Sequence, residues 1–283
     1  MARPVVVGVD GSPSGTTAAW WGAREAVHRH VPLHLLHSWT TQPLVVPIPQ
    51  EARSDRRYGR EVLQRAAAEL LHRYGDLELT TELLSIPAAQ ALLDRSEDAE
   101  LLALGSRGHG SVASFLLGST AQGVVGLARC PAVVVRADDP TVETGCDRPG
   151  AADCDEIVVG VPESAPTADA VLEFAFTAAD AHGAVVRAVA AVPPFSEPHD
   201  RAEHQTWLTT TLAPWQEKFP EVRVLQRVAA GAVPQVLLTS CARSRLLVVG
   251  RRPRPSHDTW KLGPVAHAAV RHAACPVAVV PHG

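Results

Sequence analysis

The stretch Leu101-Leu102-Ala103-Leu104-Gly105-Ser106-Arg107-Gly108, followed after nine residues by Gly118-Ser119-Thr120, decides the fold. The apolar run reads as a buried strand, the glycines as a loop, and Ser119 to Ala128 as a helix. A strand, a glycine-rich loop and a helix start, in that order, can hold phosphate. Glycine lets the main chain approach an anion, and the unpaired N–H groups of a helix N-terminus, with the helix dipole, attract its charge. The same frame recurs 145 residues later around Gly250 and Gly263, with Pro253 in place of the second glycine and Pro264 in place of the serine.

Other blocks repeat as well. Val5-Val6-Val7-Gly8-Val9-Asp10-Gly11-Ser12 aligns with Ile157-Val158-Val159-Gly160-Val161-Pro162-Glu163-Ser164, and Cys130-Pro131-Ala132-Val133-Val134-Val135 aligns with Cys275-Pro276-Val277-Ala278-Val279-Val280. The first pair is offset by 152 residues and the later ones by 145, so a loop in the second copy is expected to be about seven residues shorter. The duplication predicts a domain over 1–137, a polar linker rich in Asp, Pro, Gly and Thr over 138–153, and a second domain over 154–283.

Within the first copy the patterns predict strands near Pro4–Val9, Leu33–Trp39, Leu77–Leu84, Leu101–Leu104 and Ala132–Arg136. Helices are expected near Ser14–Arg29, Ala52–Tyr74, Ala88–Ser96 and Ser119–Ala128. Short, continuous apolar strands alternating with helices give an α/β fold: two tandem doubly wound domains, each a five-stranded parallel sheet flanked by helices. Such folds bind ligands beyond the carboxyl ends of the strands, where strand order reverses, and Asp10 and Gly105 both fall at strand ends.

The chain is 46% apolar and 20% charged with a net charge of -4, the make-up of a soluble globular protein with no global attraction to nucleic acid or an anionic membrane. It contains no run of the ~18 apolar residues that a membrane span needs. Met1-Ala2-Arg3-Pro4 leads straight into a strand without a signal-peptide layout, so the expected location is cytoplasmic. The five cysteines lack metal spacing. Cys130 and Cys275 read as buried thiols, while Cys146 and Cys154 lie in a polar stretch where an oxidising environment could join them. The thirteen histidines form no metal set.

The Val7–Ser12 strand end, Leu35-Leu36-His37-Ser38, the Gly105/Gly108/Gly118-Ser119 frame and the closing Cys130–Val135 strand together resemble the universal stress protein family in its tandem form. The resemblance spans the whole chain apart from the linker. It implies an adenine nucleotide, ATP, as ligand. Asp10, with Gly8 and Val9 leading into it, is then expected near the adenosine and Ser38 beside the base. The backbone around Gly105, Arg107 and Gly108, with Gly118, Ser119 and Thr120, is expected to hold the phosphates. Mg²⁺ would accompany the phosphates, since it binds through substrate oxygens and water. The family commonly dimerises through its last strand, which implies either a homodimer or an intramolecular pseudo-dimer of the two halves.

Two departures stand out. Ile86-Pro87 replaces the family's Gly-x-Pro turn in the first copy, while Gly231 keeps it in the second; and Pro162 and Ala190 replace Asp10 and Ser38 in the second copy. The second nucleotide motif therefore reads as degenerate, with Pro253 and Pro264 removing N–H donors.

Each candidate also has a plainer reading. Asp10 suits a turn or a helix cap, Ser119 is a natural N-cap, and Arg107 and His109 suit a solvated loop. Trp20, Trp21, Trp207 and Trp215 read as core or interdomain packing. The glycine frame lacks the Gly-Lys-Ser/Thr ending of a Walker motif, and no general base accompanies it. The leading expectation is a non-catalytic, ATP-binding stress or signalling protein, at most a slow ATPase, with nucleotide held mainly by the N-terminal domain. The alternatives are a ligand-free interaction scaffold and a nucleotide-hydrolysing or nucleotide-transferring enzyme.

Overall fold

Parallel strands with both faces covered bury almost every side chain they carry, and the four-residue strand Val5–Gly8 does so: Val5, Val6 and Val7 are at most 1% exposed. The computed structural model describes residues 2–40, 49–106, 118–136, 155–163, 165–251 and 262–281. Arg107, Gly108, His109, Cys146, Cys154 and Pro253 lie outside the described residues.

The chain divides into two units, residues 1–142 and 143–283. In the first, β1 (Val5–Gly8), α1 (Pro13–Arg29), β2 (Leu33–Thr40), α2 (Pro49–Arg73), β3 (Leu79–Pro87), α3 (Ala88–Arg95), β4 (Leu101–Gly105), α4 (Ser119–Leu127) and β5 (Ala132–Val135) alternate along the chain. β1 pairs in parallel with both β2 and β4, β2 with β3, and β4 with β5. The sheet order is therefore 3-2-1-4-5, and the direction of winding reverses between β1 and β4. α1 packs with α2, and α3 with α4, which right-handed crossovers place on opposite faces.

The second unit repeats this plan with β6 (Glu156–Gly160), α5 (Ala165–His182), β7 (Val185–Val192), α6 (Pro198–Lys218), β8 (Val224–Ala230), α7 (Val233–Ser240), β9 (Leu246–Arg251), α8 (Pro264–His272) and β10 (Val277–Pro281). Its order, 8-7-6-9-10, is again fully parallel. The fold class expected from the sequence is the one observed.

Three local details differ from expectation. α1 begins at Pro13, one residue before Ser14, because Ser12 serves as its N-cap: the Ser12 hydroxyl accepts the Gly15 N–H at 3.1 Å, and Pro13 suits the first turn. The seven-residue deficit of the second copy is not all loop. α6 has 21 residues against 25 in α2, one helical turn fewer, and only the other three residues come from the preceding connection. Finally, β3 runs on through Ile86 to Pro87. The β2–β3 register shifts by one between Ser38 and Thr40, absorbing an extra residue, and the Ser38 hydroxyl donates to the Ile86 carbonyl. In the second unit β8 stops at Ala230 and Gly231 turns the chain at φ +149°, a region that disfavours side chains. Ile86 is tolerated because its segment stays extended; Gly231 is required because its segment does not.

Candidate functional site

At the reversal point of the first unit, the ends of β1 and β4 meet the first turn of α1. Gly8 closes β1, where a β-carbon would stand 3.3 Å from both Leu92 methyls of α3. Val9 is buried and spends its main chain internally: its N–H donates to the Leu36 carbonyl, and its carbonyl accepts from His37 Nδ1 at 2.6 Å. A carbonyl only accepts, so Nδ1 carries the proton. Gly8 and Val9 thus form a wall at the carboxyl end of β1.

Asp10 is exposed above that wall. Its Oδ1 accepts from the Ser12 N–H at 3.0 Å and from the Ser12 hydroxyl at 2.5 Å. Gly11 makes the turn at φ +81°, and Tyr58 of α2 lies over it. Gly15 leaves room for the carboxylate, since a β-carbon there would be 2.6 Å from Asp10 Oδ1. Asp10 therefore fills its turn role and still presents an oxygen-bearing group at the strand ends, so the two readings coexist.

Gly105 has a specific steric reason. A β-carbon on it would overlap the Ser14 carbonyl and stand 2.9 Å from the Gly15 nitrogen. Its missing side chain lets β4 end against α1, a contact between segments ninety positions apart. Ser106 follows, 1% exposed, and its hydroxyl has no hydrogen-bond partner among the described residues.

α4 begins with Gly118, not Ser119, as its N-cap, and no side chain caps it. Extended φ and ψ at Gly118 place Ser119 at the first helical position, where its hydroxyl does not cap the helix it starts. Ser119 and Thr120 are exposed, and among the described residues no side chain caps the first turn. Such a terminus binds anions.

The structure thus brings Gly8, Val9, Asp10 and Gly105 together at the strand ends beside the first turn of α1, and gives Gly118, Ser119 and Thr120 a helix start that no side chain caps among the described residues. Ser38 lies on β2, and its hydroxyl donates to the Ile86 carbonyl. Ser12, Tyr58 and Ser106 were not singled out from the sequence. The capping signal at Ser12 was readable; the placements of Tyr58 and Ser106 depend on tertiary contacts.

The second unit has a cavity of ≈ 630 Å³ at the corresponding strand ends, lined in part by Gly160, Pro162, Ala190, Gly250, Gly263 and Pro264. Trp207 of α6 lines this cavity instead of a packed core. α8 likewise lacks a side-chain cap, and its first residue is Pro264. Glu163 replaces Gly11; apart from glycines, only His30 among the described residues has a positive φ, so this turn has a different backbone. Among the described residues no group of three or more His, Cys, Asp or Glu could hold a metal ion, and no helix is long and apolar enough to cross a membrane.

The family model for the universal stress protein family matches residues 1–136 and 154–281. The chain belongs to the universal stress protein family. A universal stress protein of Mycolicibacterium smegmatis is 29% identical over 291 residues, covering 98% of this chain and 96% of that one. A universal stress protein of Mycobacterium tuberculosis is 31% identical over 278 residues, covering 98% and 96%. Both relatives align across the two segments that the family model matches in this chain. Among solved structures, a universal stress protein from Archaeoglobus fulgidus covers all of both chains with a TM-score of 0.80 at 18% identity, a likeness of fold.

Proposed function

We propose that this universal stress protein is a nucleotide-binding stress-response or signalling protein whose first unit holds ATP. The observation that carries this reading is the start of α4 behind Gly118, which no described side chain caps, in a unit whose strand ends carry the exposed Asp10. The first-turn N–H groups of α4 would accept phosphate oxygens, and Ser119 and Thr120 would add hydroxyl donors. Asp10 would accept from a ribose hydroxyl, and Ser38 would stand beside the base. Mg²⁺, bound through phosphate oxygens and water, would balance the triphosphate charge.

The reading is one of binding and not of turnover. Catalysis requires a positioned base or a charge-stabilising group at the reacting phosphate. The one carboxylate described at these strand ends, Asp10, is held by Ser12. A ligand here changes the protein only by as much as it favours one state of the site over another.

The test is calorimetric titration of the full chain with Mg-ATP, beside Asp10→Ala and Ser119→Pro. The second variant copies Pro264, which already begins a helix at the equivalent place, so it removes one N–H donor without stopping α4. The expected result is saturable binding, weakened at least about tenfold in each variant, roughly 1.4 kcal/mol. No heat with the parent chain, or equal affinity in all three, overturns the assignment.

A further inference from the structure

The duplication places two versions of one corner in the same chain. At the 145-residue offset of the later blocks, Ser96 matches Cys241 and Cys130 matches Cys275. Ser96 is the C-cap of α3. Its hydroxyl donates to the Leu93 carbonyl at 2.6 Å and accepts the Arg129 N–H at 3.1 Å, which ties the helix end to the residue before Cys130. Cys241 is the C-cap of α7. Its thiol donates to the Leu238 carbonyl at 3.5 Å and accepts the N–H of Ala274, the residue before Cys275. One structural task is thus met by a hydroxyl in the first unit and by a thiol in the second.

Sulfur in place of oxygen sets two thiols together. Cys241 and Cys275 are hydrogen-bonded side chain to side chain, although β9 and α8 lie between them in the chain. Both are thiols and both are buried, at 0% and 5% exposure. Burial by itself holds a thiol protonated and inert, and it does so at Cys130, where position 96 supplies no second sulfur. At Cys241 the hydrogen bonds from Cys275 and from the Ala274 N–H favour the thiolate, and they draw the pKa below its ordinary value against the burial. A sulfur with thiolate character beside a second thiol is the arrangement that closes to a disulfide once the first is oxidised. The pair precedes β9 and β10, at the opposite end of those strands from the cavity lined by Gly250 and Gly263.

We propose that Cys241 and Cys275 form a modification site, a thiol pair that a small hydroperoxide oxidises to a reversible disulfide. Burial restricts the oxidant to a molecule near the size of water, and hydrogen peroxide is one. The Cys241 thiolate attacks one peroxide oxygen. The O–O bond breaks, a sulfenic acid forms, and the leaving hydroxide takes the proton that Cys241 released, giving water. The Cys275 sulfur then attacks the sulfenic sulfur. The S–S bond forms, the S–O bond breaks, and hydroxide leaves with the Cys275 proton as a second water. Two thiols and one hydrogen peroxide become one disulfide and two waters, the pair supplying the two electrons that reduce the peroxide. The new bond joins the end of α7 to the start of β10. This assignment does not depend on nucleotide binding by either unit.

The test treats the reduced full chain with hydrogen peroxide, blocks the remaining thiols with N-ethylmaleimide in urea, and maps the peptides by mass. The expected product is a Cys241–Cys275 crosslink, about tenfold or more above any other pairing of either cysteine, because the fold already holds the two sulfurs together. Dithiothreitol returns both thiols. Chain unfolded in urea before the peroxide loses the preference. Cys241→Ser copies the side chain that the first unit carries at Ser96, so it keeps the cap of α7 and loses the crosslink. No Cys241–Cys275 crosslink in the native parent, a crosslink that dithiothreitol does not cleave, or the same preference in the unfolded chain overturns the proposal. The comparison of native with unfolded parent decides it even where Cys241→Ser does not fold.

Discussion

Gly105 and Ser14 meet backbone to backbone: β4 ends so close to the first turn of α1 that a β-carbon at 105 would overlap the Ser14 carbonyl. The obstacle is main chain, which cannot swing aside as a side-chain tip can. Gly105→Ala is therefore expected to force β4 and α1 apart and to cost about 1–3 kcal/mol, the usual cost of overpacking. Urea unfolding of the full chain measures it, and a stability equal to the parent would contradict the contact.

Ser12 gives a second stability prediction. Its hydroxyl accepts the Gly15 N–H and donates to Asp10. Ser12→Ala removes the cap of α1 and is expected to cost about 1 kcal/mol. Ser119→Ala is expected to be nearly silent in the same thermal or urea assay, because Ser119 stands inside the first turn of α4 and caps nothing.

Gly231 and Ile86 form a matched pair. At φ +149°, Gly231→Ala places a side chain in a strained backbone and is expected to destabilise the second unit by roughly 1 kcal/mol or more. Ile86→Ala lies in extended chain and meets no such strain. Unfolding midpoints of the two variants, compared at equal slope, decide the point.

Acid sensitivity has a nameable contributor. Hydrogen bonding from Arg95 holds the Glu82 carboxyl below its ordinary value of 4.5, with a smaller pull from His34. A carboxyl whose folded pKa is depressed stabilises the fold fully above its unfolded value, and that share is lost as pH falls through the folded one. The side chains are 25% and 42% exposed, so the contribution stays under about 1 kcal/mol. Glu82→Gln should lower stability near pH 7 by up to that amount and flatten its decline below pH 4.5; an unchanged acid limb would refute this.

Cys130 offers a chemical check. Burial pushes its thiol up to about 12, leaving almost no thiolate at pH 8. Mass mapping after brief iodoacetamide treatment should find Cys130 unmodified in the native chain and fully alkylated in urea.

The alternation of strands and helices was legible because it is local: Val5–Gly8 and Leu101–Gly105 are apolar runs closed by glycine, and both are strands. What sequence reasoning blurred is what depends on distant partners. Gly105 resembled a phosphate-loop glycine, yet its steric need is set by Ser14, far away in the chain. Ser119 matched an N-cap by residue type, but the cap is Gly118, since backbone geometry chooses the position. Pro162 and Ala190 read as losses, correctly for polar groups. That small side chains around them leave open volume is a property of three-dimensional packing with Leu237, Val249 and Trp207, and no single stretch encodes it.

The Asp10–Ser12 hydrogen bonds carry one last implication. The same carboxylate that a sugar hydroxyl would recruit is tied to the residue that seals the front of α1. Occupancy and fraying are thereby thermodynamically linked: any guest that pulls Asp10 toward itself loosens the Ser12 clasp, and the amide proton of Gly15 becomes a built-in gauge whose solvent-exchange rate rises with occupancy.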